Sequence, residues 1–306
     1  MLVAITGANG FIGGHLVRGF ESSGVAVRPI VRRDYETDAL DERFADVDIV
    51  IHAAGATRAP SRARLRRSNV DLTARTLDAA TRAGVRRFVF ISSQAAAGPA
   101  TALDAPLTEL DSPQPIDAYG KSKFEAELLV RESTLPWVIV RPAAVYGPRD
   151  RDFLALFRLA ARGVAIHPGN RRQWISIIHV DDVVRGVIAA SRDAAAVGET
   201  FFLANPEPVQ WDALFRGAAH CAGKRLGIDL DVPAPLVAAG ALAGDVVATL
   251  TGRASLLTSG KVALARPPFW VCSPEHVASL LNFFPSVPLQ RGLSDTYHWY
   301  RDNGWL

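Results

Sequence analysis

Residues 6–13 read Thr6-Gly7-Ala8-Asn9-Gly10-Phe11-Ile12-Gly13. Just before them, Leu2-Val3-Ala4-Ile5-Thr6 is a short apolar run of the kind that forms a buried parallel strand. Just after them, residues 12–22 have helical character. Glycines spaced three apart between a strand and a helix mark a dinucleotide-binding turn. Gly7 permits the tight turn, Gly10 lets backbone approach a pyrophosphate, and Gly13 lets helix and sheet pack closely. The helix start, with Phe11 and Ile12, offers N–H groups and positive potential to phosphate. Gly7, Gly10, Phe11, Ile12 and Gly13 are therefore cofactor-binding candidates.

The same alternation continues outward. Further strands are expected at 25–31, 48–52, 87–91 and 138–141, with helices at 68–83 and 119–132. Strand–helix alternation of this kind predicts an α/β, Rossmann-type doubly wound parallel sheet. After Gly147 the pattern loosens and prolines multiply. Helices are still expected at about 151–162, 180–192 and 210–222, within a smaller mixed C-terminal substrate lobe. The expected division is 1–147 for the dinucleotide-binding domain and 148–306 mainly for the substrate lobe. A segment at about 175–204 returns to the first domain. No Gly/Ser-rich linker separates the halves, so the lobe is expected to pack tightly on the first domain. The apolar run Val232 to Leu250 reads first as core packing and second as contact with a hydrophobic substrate.

Composition narrows the class. The chain has 306 residues, 49% hydrophobic and 21% charged, which excludes disorder as the main state. Only Cys221 and Cys272 occur, without CxxC spacing, which fits a reducing compartment and excludes a Cys-rich zinc site. No metal site is read from the sequence. No signal peptide and no bilayer-spanning run are expected, so the reading is a soluble cytoplasmic protein without stable membrane insertion. Net charge is +3. Arg58, Arg62, Arg64, Arg66 and Arg67 form a basic cluster, read as a solvated loop and helix start, or else as a rim attracting an anionic substrate. No reader motif accompanies it, so nucleic acid is not an expected partner.

The second strand ends in Val31-Arg32-Arg33-Asp34. An acid at this point binds a ribose 2′-hydroxyl, whereas guanidinium groups suit a 2′-phosphate. Arg32 and Arg33 favour NADP(H); NAD(H), with Asp34 on the ribose, is the alternative. The third strand ends in His52-Ala53-Ala54-Gly55, where Ala53, Ala54 and Gly55 let backbone lie close to the cofactor. His52 reads as a packed core histidine.

Tyr119-Gly120-Lys121-Ser122-Lys123 carries the chemistry. Tyr119 and Lys123 share one face of a helix. A nearby ammonium is expected to lower the tyrosine pKa and fit it for proton transfer. Lys123 can also bond a ribose. Ser92 and Ser93 close the fourth strand, where a hydroxyl can polarise a carbonyl.

With these motifs in hand, the chain resembles an extended short-chain dehydrogenase/reductase of the NAD-dependent epimerase/dehydratase group. The resemblance runs nearly end to end. It includes Thr6 to Gly13, His52 to Gly55, Ser92-Ser93, Tyr119 to Lys123, Arg141-Pro142-Ala143-Ala144-Val145-Tyr146-Gly147-Pro148, Ile178-His179-Val180-Asp181-Asp182 and the C-terminal Gly304-Trp305-Leu306. It implies that Tyr119 and Lys123 are catalytic, that Ser93 is the catalytic hydroxyl with Ser92 as backup, and that Pro142 and Val145 line the nicotinamide. His179 would border the active site, with Asp181 and Asp182 as helix cap. Asn69 would be structural. The 68–83 helix and the tyrosine helix would form a homodimer contact. The apolar run resembles the substrate lobe of dihydroflavonol reductases and 3β-hydroxysteroid dehydrogenases.

Two departures stand out. The stretch from Arg33 to Asp48 is short enough for a strand to be truncated or absent. Sugar-nucleotide members often carry an Arg-Asp pair before the His-Val-Asp-Asp segment, where this chain has Trp174-Ile175. Three functions follow in order. The first is an NAD(P)-dependent oxidoreductase interconverting a carbonyl and a secondary alcohol, with Tyr119 as acid/base. The second is a sugar-nucleotide epimerase, or dehydratase, recycling bound NAD. Gln94 and Ala95, where an acid is expected for a dehydratase, favour the epimerase within that reading. The third is a non-catalytic cofactor-binding protein.

Overall fold

The computed structural model describes residues 1–168, 171–251, 262 and 264–306. Five strands come from the first half: β1 (Leu2–Thr6), β2 (Ala26–Ile30), β3 (Ile49–His52), β4 (Arg87–Ile91) and β5 (Trp137–Pro142). A sixth, Thr200–Leu203, arrives from far downstream and pairs with β5. The order is Thr200–Leu203, β5, β4, β3, β1, β2, and every pairing is parallel. The chain runs one way from β1 to β2 and the other way from β3 onward. The crevice for a ligand therefore opens at the carboxyl ends of β1 and β3.

Both sheet faces are buried, which is why the strands read as continuous apolar runs. Successive residues point to opposite faces. Val3 and Ile5 join Leu16 and Phe20 of helix Phe11–Ser22 and Val183 and Val187 of helix Val180–Arg192. Ala4 and Val50 face Leu77 and Ala80 of helix Leu72–Ala83 and Ala126 and Val130 of helix Ala118–Glu132. Each such fully buried large side chain contributes roughly 1.5–3 kcal/mol. Between Arg33 and Asp48 there is no strand. Two short helices, Arg32–Glu36 and Leu40–Phe44, fill the space and bury Tyr35, Leu40 and Phe44.

The smaller lobe is mixed. Trp174–Ile175 pairs antiparallel with Val209–Gln210 and parallel with Phe269–Trp270. Val164–Pro168 lies parallel to Ile228–Val232, and Ala144–Tyr146 parallel to Ile177–His179. The lobe core gathers Phe157, Leu214, Leu293 and Tyr300, with Trp299 and Trp305 against them. The buried Tyr300 hydroxyl donates to the Asp150 carbonyl at 2.8 Å.

The expectation for Val232 to Leu250 needs correction. Helix Ala234–Thr251 buries Val237 and Ala241, but Leu236 and Leu242 are 65% and 64% exposed. One face packs and the other does not, because the helix lies on the surface of the small lobe. The side chains of residues 245–251 lie outside those described. Among the described residues, no helix is long and apolar enough to cross a membrane.

His52 is a core residue. Its Nδ1 lies 2.7 Å from Thr6 Oγ1 and its Nε2 3.0 Å from Thr73 Oγ1, and its ring stacks on Phe90. Burial pushes its pKa down to about 3, and Lys123 adds to the shift. The unfolded chain takes up a proton near pH ~6.5 that the native protein refuses. Stability is therefore lost as pH falls below that value. Between about pH 6.5 and 4 the wild-type unfolding free energy should drop about 3 kcal/mol more than that of His52→Gln in urea titrations. Equal slopes would contradict a neutral, buried His52.

Candidate active site

The cofactor end is built from close backbone approaches. Gly7 has φ +67°, and a Cβ there would stand 2.8 Å from the Ala53 carbonyl oxygen and the Ala54 nitrogen. A Cβ on Gly13 would fall 2.1 Å from the Gly7 oxygen. The turn, the first helix and the loop after β3 are thus in direct contact. The Ala54 N–H donates to Thr6 Oγ1 at 3.1 Å, and Gly55 follows on the exposed side of that loop. Helix Phe11–Ser22 begins at Gly10 with no side-chain cap and no acid in its first turn, leaving its positive end open to an anion. Ile12 packs on the central core, and Phe11 sets its ring edge-on to His15.

Arg32 and Arg33 are exposed at the end of β2. Neither is in an ion pair among the described residues. Asp34 turns back instead. Its Oδ2 accepts the Val31 N–H at 2.7 Å, and its Oδ1 lies 3.4 Å from Arg43 Nε. The carboxylate is thereby occupied as a local cap. Pro142 is buried at the end of β5, and Val145 is half-buried against the central core. The glycine cradle, the uncapped helix start and the two guanidinium groups fit a dinucleotide.

At the other end, Asp117 caps helix Ala118–Glu132 by accepting the N–H groups of Gly120 (2.9 Å) and Tyr119 (3.3 Å). A Cβ on Gly120 would come 2.2 Å from the Ala95 oxygen. Glycine there lets the helix press against the turn after β4. Ser93 starts that turn, its Oγ accepting from the Ala95 N–H at 3.2 Å. The Ser93 hydroxyl holds the Tyr119 pKa down, but burial outweighs this and pushes it up to about 12.

Lys123 is buried. Its Nζ donates to the Ile91 carbonyl at 2.6 Å and sits 4.0 Å from the Phe90 ring centre. Burial pushes its pKa down to about 7, against the pull of Glu127. The expected lowering of Tyr119 by a neighbouring ammonium is therefore not what the structure contains. The lysine is turned to the end of β4 and held there, and the groups that move the tyrosine are burial, Ser93 and Asp117.

Two residues escaped the sequence reading. Glu127 and Arg141 form a fully buried ion pair, with Arg141 Nε to Oε1 at 2.9 Å and Nη2 to Oε2 at 2.6 Å. Ser92 Oγ donates to the same carboxylate at 2.5 Å. Ser92 is thus committed behind the site, while Ser93 faces Tyr119. The available signal was Glu127 lying four residues beyond Lys123, on the same helix face. Asn69, buried in the wide turn Arg67–Asp71 before helix Leu72–Ala83, accepts the Ala56 N–H at 2.8 Å. It donates to the Ala56 carbonyl and, at 2.8 Å, to Ser122 Oγ. It ties the loop after β3 to the tyrosine helix.

His179 corrects another expectation. The cap of helix Val180–Arg192 is His179 itself, whose Nδ1 accepts the Asp181 N–H at 3.3 Å. Asp182 is buried and accepts the N–H groups of Ser286 and Val287 instead. The basic cluster is partly neutralised: Arg58 pairs with Asp152, and Arg66 pairs with Asp71 and Glu125.

Comparisons with known proteins agree with this architecture. Residues 3–204 match the model of the NAD dependent epimerase/dehydratase family. A ceramide reductase of Caulobacter vibrioides is 32% identical over 100% of this chain and 96% of its own length. A UDP-glucose 4-epimerase of Vibrio cholerae is 27% identical over 96% of this chain and 94% of its own. The solved structure of MoeE5 in complex with UDP-glucose and NAD superposes with a TM-score of 0.80 at 24% identity, covering 99% of both chains.

Removing one partner of a buried ion pair strands the other charge, at roughly 3–5 kcal/mol. Glu127→Ala should lower the unfolding free energy by about that much. Ser92→Ala, which leaves the pair intact, should lose less, roughly 1.5–3 kcal/mol for one bond to a charged group. Chemical denaturation measures both, and equal losses would show that the pair is not the anchor.

Proposed function

The chain belongs to the NAD dependent epimerase/dehydratase family, and from that premise we propose that it is an NADP(H)-dependent reductase of a carbonyl on an apolar, lipid-like substrate. The observation that carries this reading lies on the substrate side. Where sugar-nucleotide enzymes often set an Arg-Asp pair, this chain places Trp174 and the buried Ile175 in a small sheet. Arg171, further upstream, is held at 2.7 Å by both Asp229 and Asp231. Arg171 is therefore already engaged and not free to clamp a substrate diphosphate. The exposed Leu236 and Leu242 offer an apolar surface instead. The full-length likeness to a ceramide reductase points the same way.

Each residue then has a role. When bound, the nicotinamide supplies the hydride. Tyr119, protonated far above neutrality, gives its proton to the carbonyl oxygen. Ser93, at the turn after β4, steadies that oxygen. Lys123, held at the end of β4, would bond the nicotinamide ribose and gain charge as that polar partner arrives. Pro142 and Val145 wall the nicotinamide. Ala53, Ala54 and Gly55 form the floor. Arg32 and Arg33 take the 2′-phosphate. The tyrosine helix exposes Leu128, and a homodimer through this helix and its neighbour Leu72–Ala83 would cover it. The two free cysteines fit a cytoplasmic setting.

Three measurements test this reading. In fluorescence titrations NADPH should bind more tightly than NADH. Replacing Arg32 and Arg33 with Ser should cut NADPH affinity by about 10-fold or more while leaving NADH nearly unchanged. Tightly retained NAD after purification would instead favour the epimerase. Tyr119→Phe should lower turnover of a long-chain ketone by roughly 10²–10⁴ with NADPH binding preserved. Unchanged turnover would remove Tyr119 from the chemistry.

A further inference from the structure

A second polar cluster lies in the small lobe. His167 sits on strand Val164–Pro168 and is 3% exposed. Its ring stands edge-on to Phe215. Asp229 belongs to the neighbouring strand Ile228–Val232, and Asp212 to the first turn of helix Trp211–Cys221. One donor atom from each of the three lies within 4.8 Å of the other two. We propose that His167, Asp212 and Asp229 form a binding site for a divalent transition-metal ion of the Zn²⁺ type.

Three observations support it. First, neither ring nitrogen of the buried His167 has a hydrogen-bond partner among the described residues, and the buried Asp212 Oδ1 has none either. Unsatisfied buried polar atoms are rare and call for an occupant. Second, His167 Nε2 lies 3.0 Å from Asp229 Oδ1, yet the two are not aligned as a hydrogen bond. Ligands each about 2.1 Å from one ion stand about 2.9–3.4 Å apart without pointing at each other. Third, the charge is right. Asp212, Asp229 and Asp231 carry three negative charges against the two positive charges of Arg171 and Arg216. Arg216 holds Asp212 by Oδ2, leaving Oδ1 free, and Arg171 donates to Asp229 Oδ1 at 2.7 Å, so an ion would share that oxygen with the guanidinium or take Oδ2. These are the outer partners that orient carboxylate ligands.

One imidazole and two carboxylates suit Zn²⁺ better than Mg²⁺, which prefers oxygen alone. The ion would pin two strands and a helix of the substrate lobe together, and its binding energy would add to folding. The site is separate from Tyr119 and Lys123 and does not depend on the reductase reading.

The test uses tag-free, full-length protein stripped with a chelator. Titration with Zn²⁺ should give one ion per chain, with Mg²⁺ as control. At about 100-fold excess over Kd, Tm should rise by about 4 °C or more. Co²⁺ should give visible absorption without a thiolate charge-transfer band. His167→Ala and Asp212→Asn should each abolish saturable binding. Asp212→Asn, at a partly exposed position, should keep the wild type's far-UV circular dichroism and cooperative thermal unfolding, which shows that it folds. Three results would each overturn the site: no saturable Zn²⁺ binding by the wild type, unchanged binding in Asp212→Asn, or a thiolate band from Cys221 or Cys272.

Discussion

A buried carboxylate and a buried guanidinium hold this protein's site in place. Glu127 and Arg141 are 0% and 1% exposed, so neither charge can be left alone. Desolvating such a pair costs several kcal/mol per ion, and only good geometry with full hydrogen bonding offsets it. Here the contact is two-pronged and Ser92 supplies a further bond to the same carboxylate, while Arg141 Nη1 has no partner among the described residues. The pair joins the tyrosine helix to β5, and Ser92 joins both to β4. Two other contacts set the helix depth. Gly120 allows backbone contact with the turn after β4, and Asn69 bonds Ser122 to the loop after β3. The helix that carries Tyr119 and Lys123 is thereby tied to the ends of β3, β4 and β5.

The anchoring has an electrostatic consequence. One cause, burial, moves the two neighbouring groups in opposite directions. It raises Tyr119 to about 12 and lowers Lys123 to about 7. Both shifts favour the uncharged form. The resting site therefore holds a protonated phenol and a lysine poised near neutrality. It holds the proton that a reduction consumes, but at this pKa the phenol is a weak acid and releases it poorly. A polar or anionic partner reaching Lys123 would restore its charge and shift the balance.

The sheet was legible because its rules are local. Parallel strands buried on both faces read as apolar runs, and glycines three apart between a strand and a helix are rarely anything but a phosphate-binding turn. Tyr119, Lys123 and Ser93 stood out through spacing and strand-end position. Glu127 and Arg141 did not, because a buried ion pair is a relation between two distant segments and each residue alone reads as surface. The electrostatic effect of Lys123 on Tyr119 was misjudged for a similar reason. Helical spacing puts two residues on one face, but the Ile91 carbonyl, which belongs to another element, decides where the ammonium goes. The cap at His179 was missed because Asp-Asp is the stronger cap pattern, and the buried Asp182 was needed to hold residues 286–287.

Substrate choice was the least legible, since one fold is shared by enzymes of differing specificity. Arg171 of the small lobe is already held by two aspartates, which is one reason the proposed substrate is not a sugar nucleotide. The lobe also exposes what a soluble surface avoids. Residues 234–244 carry no charged side chain, and two leucines there are about two-thirds exposed. A helix apolar on all sides is ordinarily covered, and water alone is a poor cover for adjoining aliphatic groups. A long-chain substrate seated on this face would supply the missing cover. The proposed specificity thus rests on the same apolar burial that folds the central sheet, completed by the ligand.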